Sequence, residues 1–170
     1  VESTAQMLHF MKNIIKHKFT DQLDLRVEQW AKVVRETLQS VELMRKEEFD
    51  LEIIKSLYPL HPITGIALIE LCRKYAQNER TLVAFLCSGH PYALPAKMDR
   101  IAVNTEGPLF SVGLDALYDY FFRLNNVPFV SSPGAQRWVE IDEIIESAAQ
   151  FGDEQNILLR NLGVLNLLGN

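Results

Sequence analysis

Arg80 is the residue of this chain best placed by type and spacing to meet a phosphate. It stands in Gln77-Asn78-Glu79-Arg80-Thr81-Leu82, where Asn78 suits a helix cap and Glu79 and Arg80 fall in the first turn. The unpaired N–H groups and the dipole at a helix N-terminus favour anions over cations. An arginine there does little for the helix, yet it can help the helix end hold an anion. The preference is worth only about 0.3–1 kcal/mol. A plain surface arginine, or one paired with Glu79 or Glu70, is therefore the competing reading. Upstream, Tyr58-Pro59-Leu60-His61-Pro62 marks a break before another helix. Pro62 fits the first turn, where its missing N–H costs nothing. His61 fits the helix start, with its ring bonded to the backbone to fix the turn.

Other chemistry finds little support. The phosphate-cradling pattern GxxxxGK[ST] is absent, and no glycine precedes a lysine anywhere. No acidic pair closes an apolar strand to hold Mg²⁺, so the chain alone should not hydrolyse a nucleotide. Cys87 and His90 have the spacing of half a zinc site, but a structural site needs four ligands. Cys72, His61, His9 and His17 offer no matching second pair. The same Cys87–His90 pair lacks the oxyanion motif and third member of a nucleophilic site. Glu47-Glu48 and Asp142-Glu143 sit among other charges and read as solvated helix faces. Cys72 and Cys87 lie in apolar helical text and read as buried, reduced thiols of a cytoplasmic protein.

The elements that must position Arg80 are helical. The 170 residues are 48% hydrophobic, enough for a real core. The apolar runs fall short of the roughly 18 residues needed to span a bilayer, and no signal peptide is recognisable. Net charge is -5 with no dense basic cluster, which argues against a large nucleic-acid footprint. The first residue is valine, which fits a segment of a longer protein or a chain that has lost its start residue. Helical periodicity covers residues 2–18, capped by Ser3 or Thr4, and 21–46. A short helix follows over 47–57. The helix opened by Pro62 is apolar on most sides and reads as central. Residues 88–113 are broken by glycines and prolines and read as a loop-rich joint with at most a short helix or strand. Helices then follow over 114–124, rich in aromatics, over 138–149, and over 154–168 with Asp153 as N-cap. The expected class is all-α, with a helical bundle over 1–90, a connection over 91–113 and a second helical region over 114–170.

The stretch YPLHPITGIALIELCRKYAQNERTLVAFL carries a resemblance. It is similar to a segment that follows the nucleotide-binding core in large prokaryotic AAA+-like P-loop ATPases, including those of BREX-type phage defence. The matching residues are Tyr58, Pro59, His61 and Pro62, then Gln77 to Leu82, Phe85 and Leu86. Trp138 to Ile141 and Leu158 to Leu168 look like the same group, where they lie in a post-lid region resembling a winged helix. The resemblance implies that residues 1–90 form an AAA+ lid and that residues 114–170 form a helical region or truncated winged helix. It implies that Arg80 is a sensor-2-like residue directed at the γ-phosphate, with His61, Gln77 and Asn78 shaping the supporting turn. ATP and Mg²⁺ would belong to a parent protein whose core lies outside this chain, and the segment itself would bind no cofactor and catalyse nothing alone.

Two other readings compete. One is a helical interaction module, docking a protein partner or a second copy through the aromatic helix 114–124 and the apolar terminal helix. The other is DNA binding through residues 114–170, which is poorly served because the segment 154–168 has only Arg160 as a cation.

Overall fold

The computed structural model describes residues 3–17, 19–40, 50–76, 79–100, 108–123, 135–148 and 150–169. They are mainly helical, and no strand occurs among them. The elements are α1 (Thr4–Ile14), α2 (Asp21–Ser40), α3 (Leu51–Leu57), α4 (Pro62–Leu71) with a π turn (Cys72–Ala76), α5 (Glu79–Cys87), α6 (Leu94–Arg100), α7 (Leu114–Phe122), α8 (Ala135–Ser147) and α9 (Asp153–Leu168). Among the described residues no helix is long and apolar enough to cross a membrane.

Local signals start most of these helices. Ser3 accepts from the Gln6 N–H while the Gln6 side chain accepts from the Ser3 N–H, a reciprocal capping box. Asp50 caps α3 by accepting from the Glu52 N–H. Gly152, not Asp153, is the N-cap of α9. Asp153 and Glu154 sit in the first turn, where a carboxylate interacts favourably with the helix dipole without capping it. Helix α6 lies inside the stretch read as loop. Pro95 is its second residue, so the proline that reads as a breaker instead begins a helix. The end of the helix expected over 21–46 and the start of that over 47–57 lie outside the described residues.

Helix α4 is the centre of the molecule. Seven of its ten residues, Pro62, Thr64, Gly65, Ala67, Leu68, Ile69 and Leu71, are buried. A helix apolar all round must be covered on every side, and α1, α3, α7 and α9 pack against it. Helix α2 joins through α3, to which it presents Val27, Ala31, Val34 and Leu38 at helical spacing. One hydrophobic cluster runs from Met7 and Leu8 through Leu68, Phe85 and Leu117 to Val164 and Leu167. The core is thus continuous between residues 1–90 and 114–170.

The π turn explains how α4 holds α9. Widening the helix by one residue per turn re-aims the side chains that follow. Tyr75 donates from its hydroxyl to the Leu167 carbonyl at 3.1 Å, and Lys74 donates to the same oxygen at 2.9 Å. Carbonyls at a helix C-terminus lack intrahelical donors, and these two side chains supply them. Near the other end of α4, Tyr58–Pro59 is a cis peptide, and a single parallel bridge ties Leu60 to Val112.

Candidate functional site

Helix α5 holds Arg80 by its opposite face. Leu82 and Phe85 are fully buried and Leu86 nearly so. At 100° per residue these three cluster on one side, and Arg80 and Cys87 fall on the other. Arg80 is accordingly exposed. Among the described residues it has no salt bridge, and neither Glu70 nor any other carboxylate takes it up. Glu70 is instead paired with Arg73 at 2.6 Å. Arg80 is a cation near a helix start with its charge uncommitted, which is chemically suited to a phosphate oxygen.

His61 is the N-cap of α4. Its ring Nδ1 accepts from the Ile63 N–H at 3.3 Å, and its ring edge faces Trp30. It does not share a turn with Arg80, because α4 and the π turn, roughly 20 Å of helix, run between them. Gln77 and Asn78 lie outside the described residues.

The same geometry predicts a pH effect. Burial disfavours the charged imidazole and holds His61 below its ordinary pKa of 6.5. The cap also needs Nδ1 unprotonated. A lowered pKa means stability that is present above pH 6.5 and lost as pH falls through the folded-state value. His61→Ala should cost about 1 kcal/mol at pH 7. His61→Asn should keep most of the cap and remove its pH dependence. Thermal melts at neutral and mildly acidic pH would read this as a smaller acid-induced loss in the asparagine variant than in the parent.

Cys87 is exposed, whereas Cys72 is buried and its thiol is pushed up to about 12 by loss of water. Only Cys87 therefore has the access a reactive thiol needs, and no histidine or cation contacts it among the described residues. His90 packs beside Tyr92 and Tyr120 instead. Among the described residues no three His, Cys, Asp or Glu side chains converge as a metal site.

Sequence reading missed the main charged cluster. Asp119, on the aromatic helix α7, is buried and meets three cations. Lys97 of α6 donates to its Oδ2 at 2.6 Å. The guanidinium groups of Arg160 of α9 and Arg123 lie 3.2 and 3.4 Å from Oδ1. Neither aligns an N–H on that oxygen, so their contribution is Coulombic. Arg160 also lies over the Tyr118 ring, and the Tyr118 hydroxyl donates to Asp142 of α8. Burial first, then that bond to a carboxylate, pushes the Tyr118 phenol well above its ordinary range. Four helices are joined by this network. The only sequence signal was the i, i+4 spacing of Asp119 and Arg123; Lys97 and Arg160 come from distant elements.

Two surface expectations are corrected by this arrangement. The aromatic helix is no docking surface, because Leu114, Ala116, Leu117, Tyr118, Tyr120 and Phe121 are buried. Arg160, the one cation of the segment 154–168, faces Asp119 and not solvent. By contrast α9 does expose an apolar stripe, Leu158, Leu162 and Leu165, beside a groove of about 430 Å³ between α8 and α9.

No protein-family model, curated protein or solved structure matches the chain.

Proposed function

We propose that this segment is the helical lid and post-lid region of a cytoplasmic, prokaryotic AAA+-like P-loop ATPase, and that it couples nucleotide state to conformation without catalysing alone. The observation that carries the reading is Arg80: exposed, unpaired among the described residues, and fixed on a helix whose inner face is buried. The YPLHP motif upstream of it and the QNERTL motif that contains it support the same assignment. Mg²⁺-ATP, held by the core, would supply a γ-phosphate whose negative charge a cation can stabilise. Arg80 suits that charge, whereas no described carboxylate set suits the metal, which would rest on the core. The task of Arg80 is to orient and neutralise a phosphate oxygen when the lid closes, and the task of Leu82, Phe85 and Leu86 is to keep it in place.

The test is ATP turnover by the full-length protein. Arg80→Ala should lower kcat on the order of 10²-fold, the usual effect of deleting one preorganised donor. Since Arg80 has no ion-pair partner among the described residues, the variant should melt at the temperature of the parent.

The exposed stripe on α9 favours a second, compatible reading, in which the α8–α9 hairpin is a protein-docking module. Nucleic acid is the weakest reading of this region, since Arg160 is committed to Asp119.

A further inference from the structure

The charged junction at Asp119 holds hydrogen-bonding groups of both kinds that the chain itself does not pair. Lys97 donates to Oδ2 at 2.6 Å, but Oδ1 is buried and accepts no hydrogen bond among the described residues. The nearest nitrogens of Arg160 and Arg123 stand 3.2 and 3.4 Å from it, too poorly aligned to donate. A guanidinium carries five N–H donors. Among the described residues no N–H of either side chain is hydrogen-bonded, and the Arg160 Nε is buried. Nearly all buried polar groups have a partner. Here an unmet donor and an unmet acceptor lie at one place.

The neighbouring carboxylates do not absorb the two arginines. Asp115, one turn earlier on α7, faces Lys97 and accepts from the N–H groups of its own residue and Ala116. Asp142 of α8 accepts from the Tyr118 hydroxyl, and neither it nor Glu146 pairs with Arg123 or Arg160 among the described residues. The two guanidinium groups therefore share one carboxylate, which Lys97 already holds. Both approach the same oxygen, so they are close enough to grip a single small anion. Arg123 is 43% exposed against 22% for Arg160, so its side is the one open to solvent.

We infer that the junction of α6, α7 and α9 binds a protonated phosphate group, with Arg123 and Arg160 donating to its oxygens and Asp119 Oδ1 accepting from its P–O–H. This site is separate from Arg80 and does not depend on the lid reading. The forked donors of arginine match the oxygens of a phosphate, a sulfate or a carboxylate. Ionised sulfate and carboxylate have no proton to give, so either would set bare oxygen against Oδ1. A phosphate that keeps one proton meets both needs at once. Inorganic phosphate does so at neutral pH, and a phosphate monoester does so below its second pKa of about 6. Asp119 then has two tasks: it holds two like charges side by side, and it reads the proton.

The experiment is calorimetric titration of the 170-residue chain at pH about 6. The probes are inorganic phosphate, methyl phosphate and sulfate at equal ionic strength. Phosphate should saturate and bind at least about tenfold tighter than sulfate, the effect of one unpaired buried acceptor. Arg123→Ala removes a half-exposed side chain, so it should stay folded by circular dichroism and weaken phosphate binding about tenfold. Arg80→Ala should leave the binding unchanged. In nitrogen-15 NMR spectra the Nε–H signal of Arg160 should move as phosphate saturates. Methyl phosphate binding as tightly as inorganic phosphate would assign the site to a phosphate ester of a larger molecule; inorganic phosphate binding alone would assign it to the free ion. Sulfate binding as tightly as phosphate overturns the role of Asp119 and with it the ligand class. No saturable phosphate binding, or heats that chloride reproduces, overturns the site. Binding lost in Arg80→Ala and kept in Arg123→Ala places the anion at α5, which overturns this inference and leaves the Arg80 reading standing.

Discussion

Asp119→Ala should destabilise the chain by about 3 kcal/mol, read as a fall of about 1.5 M in the urea midpoint for an m-value near 2 kcal/mol/M. The reason is the asymmetry of buried charge. Removing the carboxylate leaves Lys97, Arg123 and Arg160 facing one another around an empty site. Removing one partner of a buried pair costs about 3–5 kcal/mol when the other cannot reach water. Here Lys97 and Arg160 are about one-fifth exposed and can relax in part, which favours the lower end. Arg123→Ala is the internal control. Its side chain is 43% exposed and its contact is the longest, so it should cost less than about 1 kcal/mol. Equal losses in the two variants would mean that Asp119 does not organise the junction of α6, α7 and α9.

Phe85→Ala should be the most damaging single truncation on the proposed site's own helix. Phe85 is fully buried and meets the Tyr120 ring edge-on at 5.1 Å between centroids. Deleting such a ring costs about 3–5 kcal/mol through lost transfer energy and the cavity left behind, with the aromatic pair included. For a chain of this size the melting temperature should fall by about 10 °C or more. Phe85→Leu keeps most of the volume and should cost less than about 1.5 kcal/mol. The pair separates scaffold from site. Phe85→Ala should lower both stability and any Arg80-dependent activity, whereas Arg80→Ala should lower activity alone.

Much of the fold was written locally. Ser3 or Thr4 marks the start of α1, Pro62 sits where a helix can begin, and the apolar text of α4 requires a central position. The helical class follows from these periodic stretches. What could not be read depends on contacts across the chain. The π turn at Cys72–Ala76 is decided by where Tyr75 and Lys74 meet the Leu167 carbonyl, far away in sequence. A short helix was allowed for within 88–113 but could not be placed, because Pro95 looks the same as a breaker and as a first-turn residue until Ala93 and Leu94 are seen buried in the core. The aromatic helix looked like a docking surface because large aromatics serve interiors and interfaces equally well. Only packing against α4 and α9 decides between them.

Of the site, Arg80's outward direction was legible from the spacing of Leu82, Phe85 and Leu86, which fall on the opposite face of its helix. The helix that separates His61 from Arg80 was legible in the apolar text from Ile63 to Tyr75, but its π turn was not. Asp119 was legible only as a carboxylate four residues before Arg123. Its burial and its two distant cations belong to the tertiary structure.

The central claim is that Arg80 acts on a phosphate held by a nucleotide-binding core. Its most direct test compares ATP turnover by the full-length protein with arginine, lysine and alanine at position 80. The account predicts a loss on the order of 10²-fold for alanine, a smaller loss for lysine, which keeps the charge but not the fork of donors, and unchanged melting temperatures for both. Turnover in Arg80→Ala equal to that of the parent would contradict it.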